Sequence, residues 1–288
     1  MSLHPEFLDK DRPYDEGDIF PGTDALEVVS HGCRLFGYTL TPGGKPGEKH
    51  PLVIVLHGFP GHTTNNDLDH ALRRMGCVVM NPYYRGAWGS EGFYTFDGLI
   101  EDIEVIANWA RSPEILEKYS IDPDNIFLAG HSMGGFTTVN VMRRIPWLKG
   151  GVCMAPYDMP WMFENHQEDD FRALLPEGSC LKQESPTSLF DNAQKVYREL
   201  AFSQAFEDLK DRNMYFIGGA KDFLAPPADM IEPLFNQMKG HQTTANQKYD
   251  LVNSDHGFSD MRIKLSRMVG EWIASMVDWE RACADGKK

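Results

Sequence analysis

A serine on a tight turn, an imidazole to take its proton and a carboxylate to steady that imidazole together make a nucleophile out of an ordinary hydroxyl. The serine candidate here is Ser132, in Gly130-His131-Ser132-Met133-Gly134-Gly135. It follows the strand-like run Ile126-Phe127-Leu128-Ala129 and opens a helical pattern. G-x-S-x-G between strand and helix is a nucleophile elbow: the turn is too tight for side chains at its glycines, and the helix N-terminus behind the serine favours developing negative charge. The bland alternative is a Gly-rich turn with a structural serine. A second signal, His57-Gly58-Phe59-Pro60-Gly61, directly follows Leu52-Val53-Ile54-Val55-Leu56, the longest apolar run in the chain. A strand ending in that way aims a backbone N–H into the same region. His57 is better suited to shaping this loop through hydrogen bonds than to acting as a base.

Holding such residues together requires a scaffold, and the rest of the chain supplies its pattern. Leu26–Val29 and Arg34–Leu40 have strand character. Short apolar, strand-like runs then recur at Pro51–Leu56, Cys77–Met80, Asn125–Ala129, Gly151–Met154, Met214–Ile217 and Tyr249–Val252. Helical spacing separates them: Leu99, Ile103, Ile106 and Ala110 form one apolar stripe, and Met261, Leu265, Met268, Trp272 and Met276 another. Strands alternating with helices indicate an α/β fold with a mostly parallel central sheet flanked by helices, and ligands bind at the carboxyl edge of such a sheet. The rhythm breaks between residues 156 and 210. The expected organisation is therefore an acidic arm over 1–24, a core over 25–155 and 211–288, and a helical cap or lid inserted at 156–210.

The motifs His57-Gly58-Phe59-Pro60-Gly61, Gly130-His131-Ser132-Met133-Gly134-Gly135, Asp222 and His256 resemble, in that order, the α/β-hydrolase superfamily over about residues 25 to 279. The resemblance implies an oxyanion hole made by the backbone N–H groups of Phe59 and Met133, and a chain order of serine, acid, histidine. Only His166, His241 and His256 follow Ser132. His166 lies in the expected cap. His241 leaves a helix at the amino edge of the sheet. His256, in Asn253-Ser254-Asp255-His256-Gly257-Phe258, follows a strand and stands at the carboxyl edge, so it is the expected base. Asp222 follows the strand Met214–Ile217 and is the expected acid; Asp255 is its rival, poorly placed as the immediate neighbour of His256.

Tyr84-Arg85-Gly86-Ala87-Trp88-Gly89 resembles the Tyr-Arg-Gly loop of the prolyl-oligopeptidase-like branch, as do Ile121-Asp122-Pro123-Asp124-Asn125 and His256-Gly257-Phe258. Arg85 is a candidate for binding a substrate carboxylate, or else an ion pair pinning the loop. Tyr84 either lines a pocket or packs beneath it. Trp161 and Phe163, in the expected cap, either form a substrate wall or are cap core. Members of that branch commonly carry an N-terminal β-propeller, whereas 56 residues precede His57 here. No propeller is expected, and the cap would control access instead.

The 288 residues carry 28 basic and 42 acidic side chains, a net charge of −14. Nothing in that balance replaces phosphate counterions, which disfavours nucleic acid and anionic membrane surfaces as partners. No apolar run reaches membrane-spanning length. The N-terminus lacks a secretory pattern, and five cysteines without CxxC spacing fit a reducing cytoplasm better than a disulfide framework. No HExxH, GxxxxGK[ST] or GxGxxG motif occurs, so neither a metal nor a cofactor is expected. The acidity is local: residues 1–24 hold seven acids against two bases, and residues 156–210 eleven against five.

These readings converge on a serine hydrolase cleaving carboxylic esters or related acyl substrates through Ser132, His256 and Asp222, by way of an acyl-enzyme. The runner-up is an aminopeptidase or acyl-peptide hydrolase, in which an acid of the expected cap, such as Glu168 or Asp169, holds a free α-amine. A non-catalytic binding module on the same fold is the third. The partner in the first two readings is a small ester or a short acyl-peptide.

Overall fold

A two-residue turn begins the sheet. His31 and Gly32 both take positive φ, 48° and 79°, as in the mirror-image turns whose twist suits antiparallel strands. They join β1 (Gly22–Ser30) to β2 (Cys33–Thr41), paired from Gly22–Thr41 to Ser30–Cys33. β1 thus starts at Gly22, inside the stretch read from sequence as an arm. The computed structural model describes residues 3–62 and 65–284, with side chains as far as Val277.

Beyond the hairpin the chain alternates through β3 (His50–Leu56), α1 (Asn66–Met75), β4 (Val78–Pro82), α2 (Phe96–Ala110), α3 (Pro113–Lys118), β5 (Ile121–His131), α4 (Met133–Arg144) and β6 (Gly150–Met154). Then come α5 (Met159–Glu164), α6 (Glu168–Leu174), a 3₁₀ turn at Leu175–Cys180, α7 (Ser188–Leu200) and α8 (Phe206–Leu209). The last elements are β7 (Met214–Gly219), α9 (Pro227–Met230), α10 (Glu232–Lys239), β8 (Gln247–Val252) and α11 (Arg262–Ala284). The eight strands lie in the order β1-β2-β4-β3-β5-β6-β7-β8. β1 and β2 are antiparallel to their neighbours, and every pair from β4 to β8 is parallel.

All seven residues of β3 are buried, as a central parallel strand covered on both faces requires. Side-chain alternation divides them between two cores. Leu52, Ile54 and Leu56 join Leu99, Ile103, Phe136 and Val139 on one face. Val53 and Val55 join Leu68, Leu72, Leu265, Val269 and Ile273 on the other. The two helical stripes read from sequence therefore cover opposite faces of the same sheet. The N-terminal stretch is docked: Leu8 is buried, Arg74 donates to the Phe7 and Leu8 carbonyls, and Arg267 pairs with Asp9. Among the described residues no helix is long and apolar enough to cross a membrane, and no group of three or more His, Cys, Asp or Glu side chains is gathered as metal ligands would be. The Cys77 and Cys153 thiols are buried in the sheet, and burial raises both above the ordinary thiol range.

β3 pairs with β4 on one side and β5 on the other. The chain order reverses there, and a crevice opens beyond the strand ends. The loop after β4 borders it and is bolted at three levels. Arg85 forms an ion pair with the buried Asp102 (2.8 Å), its backbone N–H reaches the same carboxylate (2.8 Å), and its guanidinium also holds Glu101. Ser30 adds a hydroxyl donor to Asp102 at 2.7 Å. Gly86 and Tyr94 exchange backbone hydrogen bonds with Lys182 (2.8 and 2.9 Å). Tyr84 is fully buried, its ring 4.6 Å from that of His57.

Two expectations are corrected here. The Arg85 guanidinium holds two acids, the ion pair that pins the loop, and Tyr84 packs beneath the crevice. Removing one member of a buried pair strands the other charge, at about 3–5 kcal/mol. Arg85→Met is therefore expected to lower the free energy of unfolding by about 3 kcal/mol in urea titrations. An unchanged stability would return Arg85 to the list of substrate contacts.

Candidate active site

Each candidate residue lies just past the carboxyl end of a parallel strand: Phe59 after β3, Ser132 after β5, Asp222 after β7 and His256 after β8. The sharpest local geometry is at Ser132, with φ 56° and ψ −118°. A non-glycine residue there stores strain of order 1–3 kcal/mol and persists only where its surroundings force it. They do so by backbone contact. A Cβ on Gly130 would lie 2.0 Å from the Gly134 carbonyl oxygen, and one on Gly134 would lie 2.2 Å from that of Leu56 in β3. The Ser132 N–H donates to the Met154 carbonyl (2.9 Å), and its own carbonyl accepts from the Tyr157 N–H (3.1 Å).

The loops after β7 and β8 are tied to each other. Ala220 N–H donates to the Val252 carbonyl (2.7 Å) and Lys221 N–H to that of Ser254 (2.9 Å). This brings the fully buried Asp222 carboxylate to the His256 ring, where Nδ1–H donates to Oδ2 at 2.7 Å. The other oxygen, Oδ1, accepts from the N–H groups of Leu224 (3.0 Å) and Ala225 (2.8 Å). With Nδ1 so engaged, Nε2 of His256 is the nitrogen left to accept a proton. Asp255 is turned elsewhere: its Oδ1 accepts from Ser259 N–H (2.8 Å), the chief influence holding its carboxyl below the ordinary range. His241 meets Asp211 at the other end of β7, and His166 lies exposed between α5 and α6.

One contact that sequence reasoning missed joins the histidine loop to the elbow. His131 donates from Nε2 to the His256 carbonyl (2.7 Å), with the two rings 5.0 Å apart. Burial, then the neighbouring His256, depresses the His131 imidazole to about 3. His131 was visible only as the variable position of a motif; no local spacing reports a partner 125 residues away. The 57–61 loop closes the other side. A Cβ on Gly58 would stand 3.0 Å from that of Ser132. His57 is fully buried, donates from Nδ1 to the Gly58 carbonyl (2.8 Å), and is held down to about 4 by burial.

Beside Ser132 opens a cavity of about 190 Å³. Phe59, Pro60 and Met133 line it next to the serine; Phe96, Tyr157, Phe171, Leu174, Leu175, Glu177 and Leu224 complete it. Trp161 and Phe163 do not line it. Phe163 is buried against Phe171, Phe190 and Tyr197, and Trp161 packs on the same core, so both are corrected from substrate wall to internal packing. Glu168 and Asp169 also lie off the cavity. The carboxylate that borders it is Glu177, in the 3₁₀ turn.

The family pattern described as "Serine aminopeptidase, S33" matches residues 47–198, more than half of the chain. The chain belongs to this family. Among curated relatives, "Putative esterase YitV" of Bacillus subtilis (strain 168) is 26% identical over 218 residues, covering 72% of this chain and 82% of that protein. "Lysophosphatidylserine lipase ABHD12" of Danio rerio is 28% identical over 160 residues, 49% of this chain and 40% of the relative. Two solved structures align over 88% of the chain. Est1E of Butyrivibrio proteoclasticus, solved with ferulic acid, does so at 18% identity and TM-score 0.66, over its whole length. The Pyrococcus horikoshii acylaminoacyl peptidase does so at 16% identity and TM-score 0.64, over 41% of its length. At such identities the likeness is one of fold, and the fold is that of the α/β hydrolases, as the sequence motifs implied. This S33-family chain is thus a hydrolase by family.

The two buried imidazoles make acid stability measurable. Both are neutral when folded, with values near 4 and 3, against about 6.5 in an unfolded chain. Below pH 6.5 the unfolded state binds the extra protons first, so stability is full above that pH and falls as pH drops toward the folded values. Each group contributes up to about 1.4 kcal/mol per pH unit over that window. Denaturant titrations between pH 7 and 4.5 are expected to show the fall. His57→Asn, which retains a donor near the Gly58 carbonyl, is expected to show a shallower slope; an identical slope would mean His57 is not neutral when folded.

Proposed function

We propose that this protein hydrolyses carboxylic esters, with Ser132 as nucleophile, His256 as base and Asp222 as its orienting acid. The observation that carries this reading is the 2.7 Å contact between His256 Nδ1 and Asp222 Oδ2. It sits on a loop whose backbone is bonded to the residue preceding Ser132. Ser132 Oγ attacks the ester carbonyl carbon while His256 Nε2 takes the hydroxyl proton. The Phe59 and Met133 N–H groups face the developing oxyanion; a donor of this kind is worth about 3 kcal/mol. The C–O bond breaks, the alcohol leaves with the proton from His256, and the acyl group remains on Ser132. Water, deprotonated by His256, then attacks the acyl carbon, releasing the carboxylic acid and the serine.

In this reading residues 156–210 act as the cap and residues 1–24 as a docked arm. Support for the cap comes from the cavity, which takes Tyr157, Phe171, Leu174, Leu175 and Glu177 from that stretch. The cavity walls are mostly apolar and the volume is modest. A protein cavity of about 150 Å³ lined by similar side chains holds benzene, so a short aliphatic or single-ring acyl group is the size that fits.

A second reading, cleavage next to a free α-amine, rests on Glu177 at the cavity wall and on the family's description. It predicts turnover of aminoacyl p-nitroanilides that Glu177→Gln abolishes while p-nitrophenyl ester turnover persists. For the first reading, a fluorophosphonate is expected to label the wild-type protein at Ser132, and Ser132→Ala is expected to fold normally and lose at least about a thousandfold in esterase kcat. Retention of full activity by Ser132→Ala would end the assignment.

A further inference from the structure

One side chain links the nucleophile's strand to the loop that carries the base. His131 is the last residue of β5, paired in the sheet ladder with Met154 of β6, and Ser132 follows it directly. From that fixed point its ring crosses to the loop after β8 and donates from Nε2 to the His256 carbonyl at 2.7 Å. Among the described residues this is the one hydrogen bond between residues 253–258 and the elbow. The other ties of that loop run elsewhere: Lys221 N–H reaches the Ser254 carbonyl, and Arg262 at the start of α11 reaches that of Gly257 (3.0 Å).

The surroundings of His131 suit a strut rather than an acid or a base. Its ring packs against those of His256 (5.0 Å) and Phe258 (6.2 Å), and the residue is buried. Burial, then the neighbouring His256, holds it neutral well below the ordinary histidine range, so it places no second cation beside the imidazolium that forms on His256. The bond to Asp222 holds His256 at one ring nitrogen, and a ring held at one point still pivots about it. A second hold, on the backbone of the same residue, fixes the direction in which Nε2 points. Because that hold comes from the residue next to Ser132, it places the base relative to the nucleophile as well as within its own loop.

We propose that His131 is a positioning residue: its hydrogen bond to the His256 carbonyl sets the register of His256 Nε2 with Ser132 Oγ. This inference rests on the serine-hydrolase reading and adds to it a side chain that acts through the base rather than on the substrate.

The test compares His131→Leu, which removes the donor, with His131→Gln, whose amide nitrogen reaches about the place of Nε2 and still donates. Each protein is first reacted to completion with a fluorophosphonate. Rates on p-nitrophenyl acetate are then referred to the amount of Ser132 labelled, so that misfolded protein does not count. A displaced base loses rate steeply with distance, and kcat of His131→Leu is expected to fall at least about tenfold. Both half-reactions use the same base, so the loss is expected on kcat, with KM within about twofold of wild type. His131→Gln is expected to exceed His131→Leu at least about fivefold in kcat, a rescue that a space-filling role does not give. Should His131→Leu not fold, His131→Asn, polar but one carbon short of the carbonyl, takes its place with the same expectations. A smaller loss in the variant without the donor, a loss carried by KM, or a His131→Gln as impaired as that variant overturns the inference and leaves the hydrolase reading standing. Absence of labelling in the wild-type protein removes the nucleophile itself, and the inference with it.

Discussion

The site depends on a line of backbone contacts with no room for a side chain. Gly130 at the end of β5 touches the Gly134 carbonyl, and Gly134 at the start of α4 touches the Leu56 carbonyl at the end of β3. These contacts let α4 start against the sheet edge with Ser132 held at positive φ between strand and helix. Because β3 is the strand at which sheet order reverses, the same contacts bring the 57–61 loop against the serine. Strained backbone is tolerated there because two strands and a helix converge on it and leave no relaxed alternative.

Around that point the protein avoids buried charge where it has a choice and pairs it where it has none. His57 and His131 are buried as neutral rings, each donating to a backbone carbonyl. Asp102 is buried with Arg85, and Asp222 with three donors, the His256 ring on one oxygen and two backbone amides on the other. This polar layer orients loops that no secondary structure constrains. It also explains why the Tyr-Arg-Gly loop looks functional in sequence. Its residue types are those of a binding loop, but their hydrogen-bonding capacity is consumed internally, by Asp102, Glu101 and Lys182.

Much of the fold was legible because it is periodic. Leu52 to Leu56 form a continuous apolar run, Leu99 to Ala110 recur at helical spacing, and each expected strand from Pro51 to Val252 lies within an observed one, save that β4 begins at Val78 and leaves out Cys77. The elbow was legible because its glycines are required by local geometry. What sequence could not show is which of several eligible side chains a fold turns inward. Trp161 and Phe163 have the composition of a substrate wall, yet α5 packs them against α7, while Leu174, Leu175 and Leu224, unremarkable in sequence, line the cavity. His131 was readable as a motif letter and not as a tether to His256. Tyr157 carried no motif at all.

The sequence alone therefore determined the alternation of strands and helices, and with it the α/β architecture, the elbow around Ser132 and the chain order of the candidate residues. Those are properties of local sterics and of hydrophobic period, which neighbouring residues encode. Tertiary structure decided the rest: that Asp222 and not Asp255 meets His256, that Arg85 is bound before any substrate arrives, and that Tyr157 borders the cavity. The first two are contacts between residues well apart in the chain, 34 positions for Asp222 and His256 and 17 for Arg85 and Asp102. Their existence depends on how whole elements pack and which donors other groups have already taken, and no window of sequence contains that information.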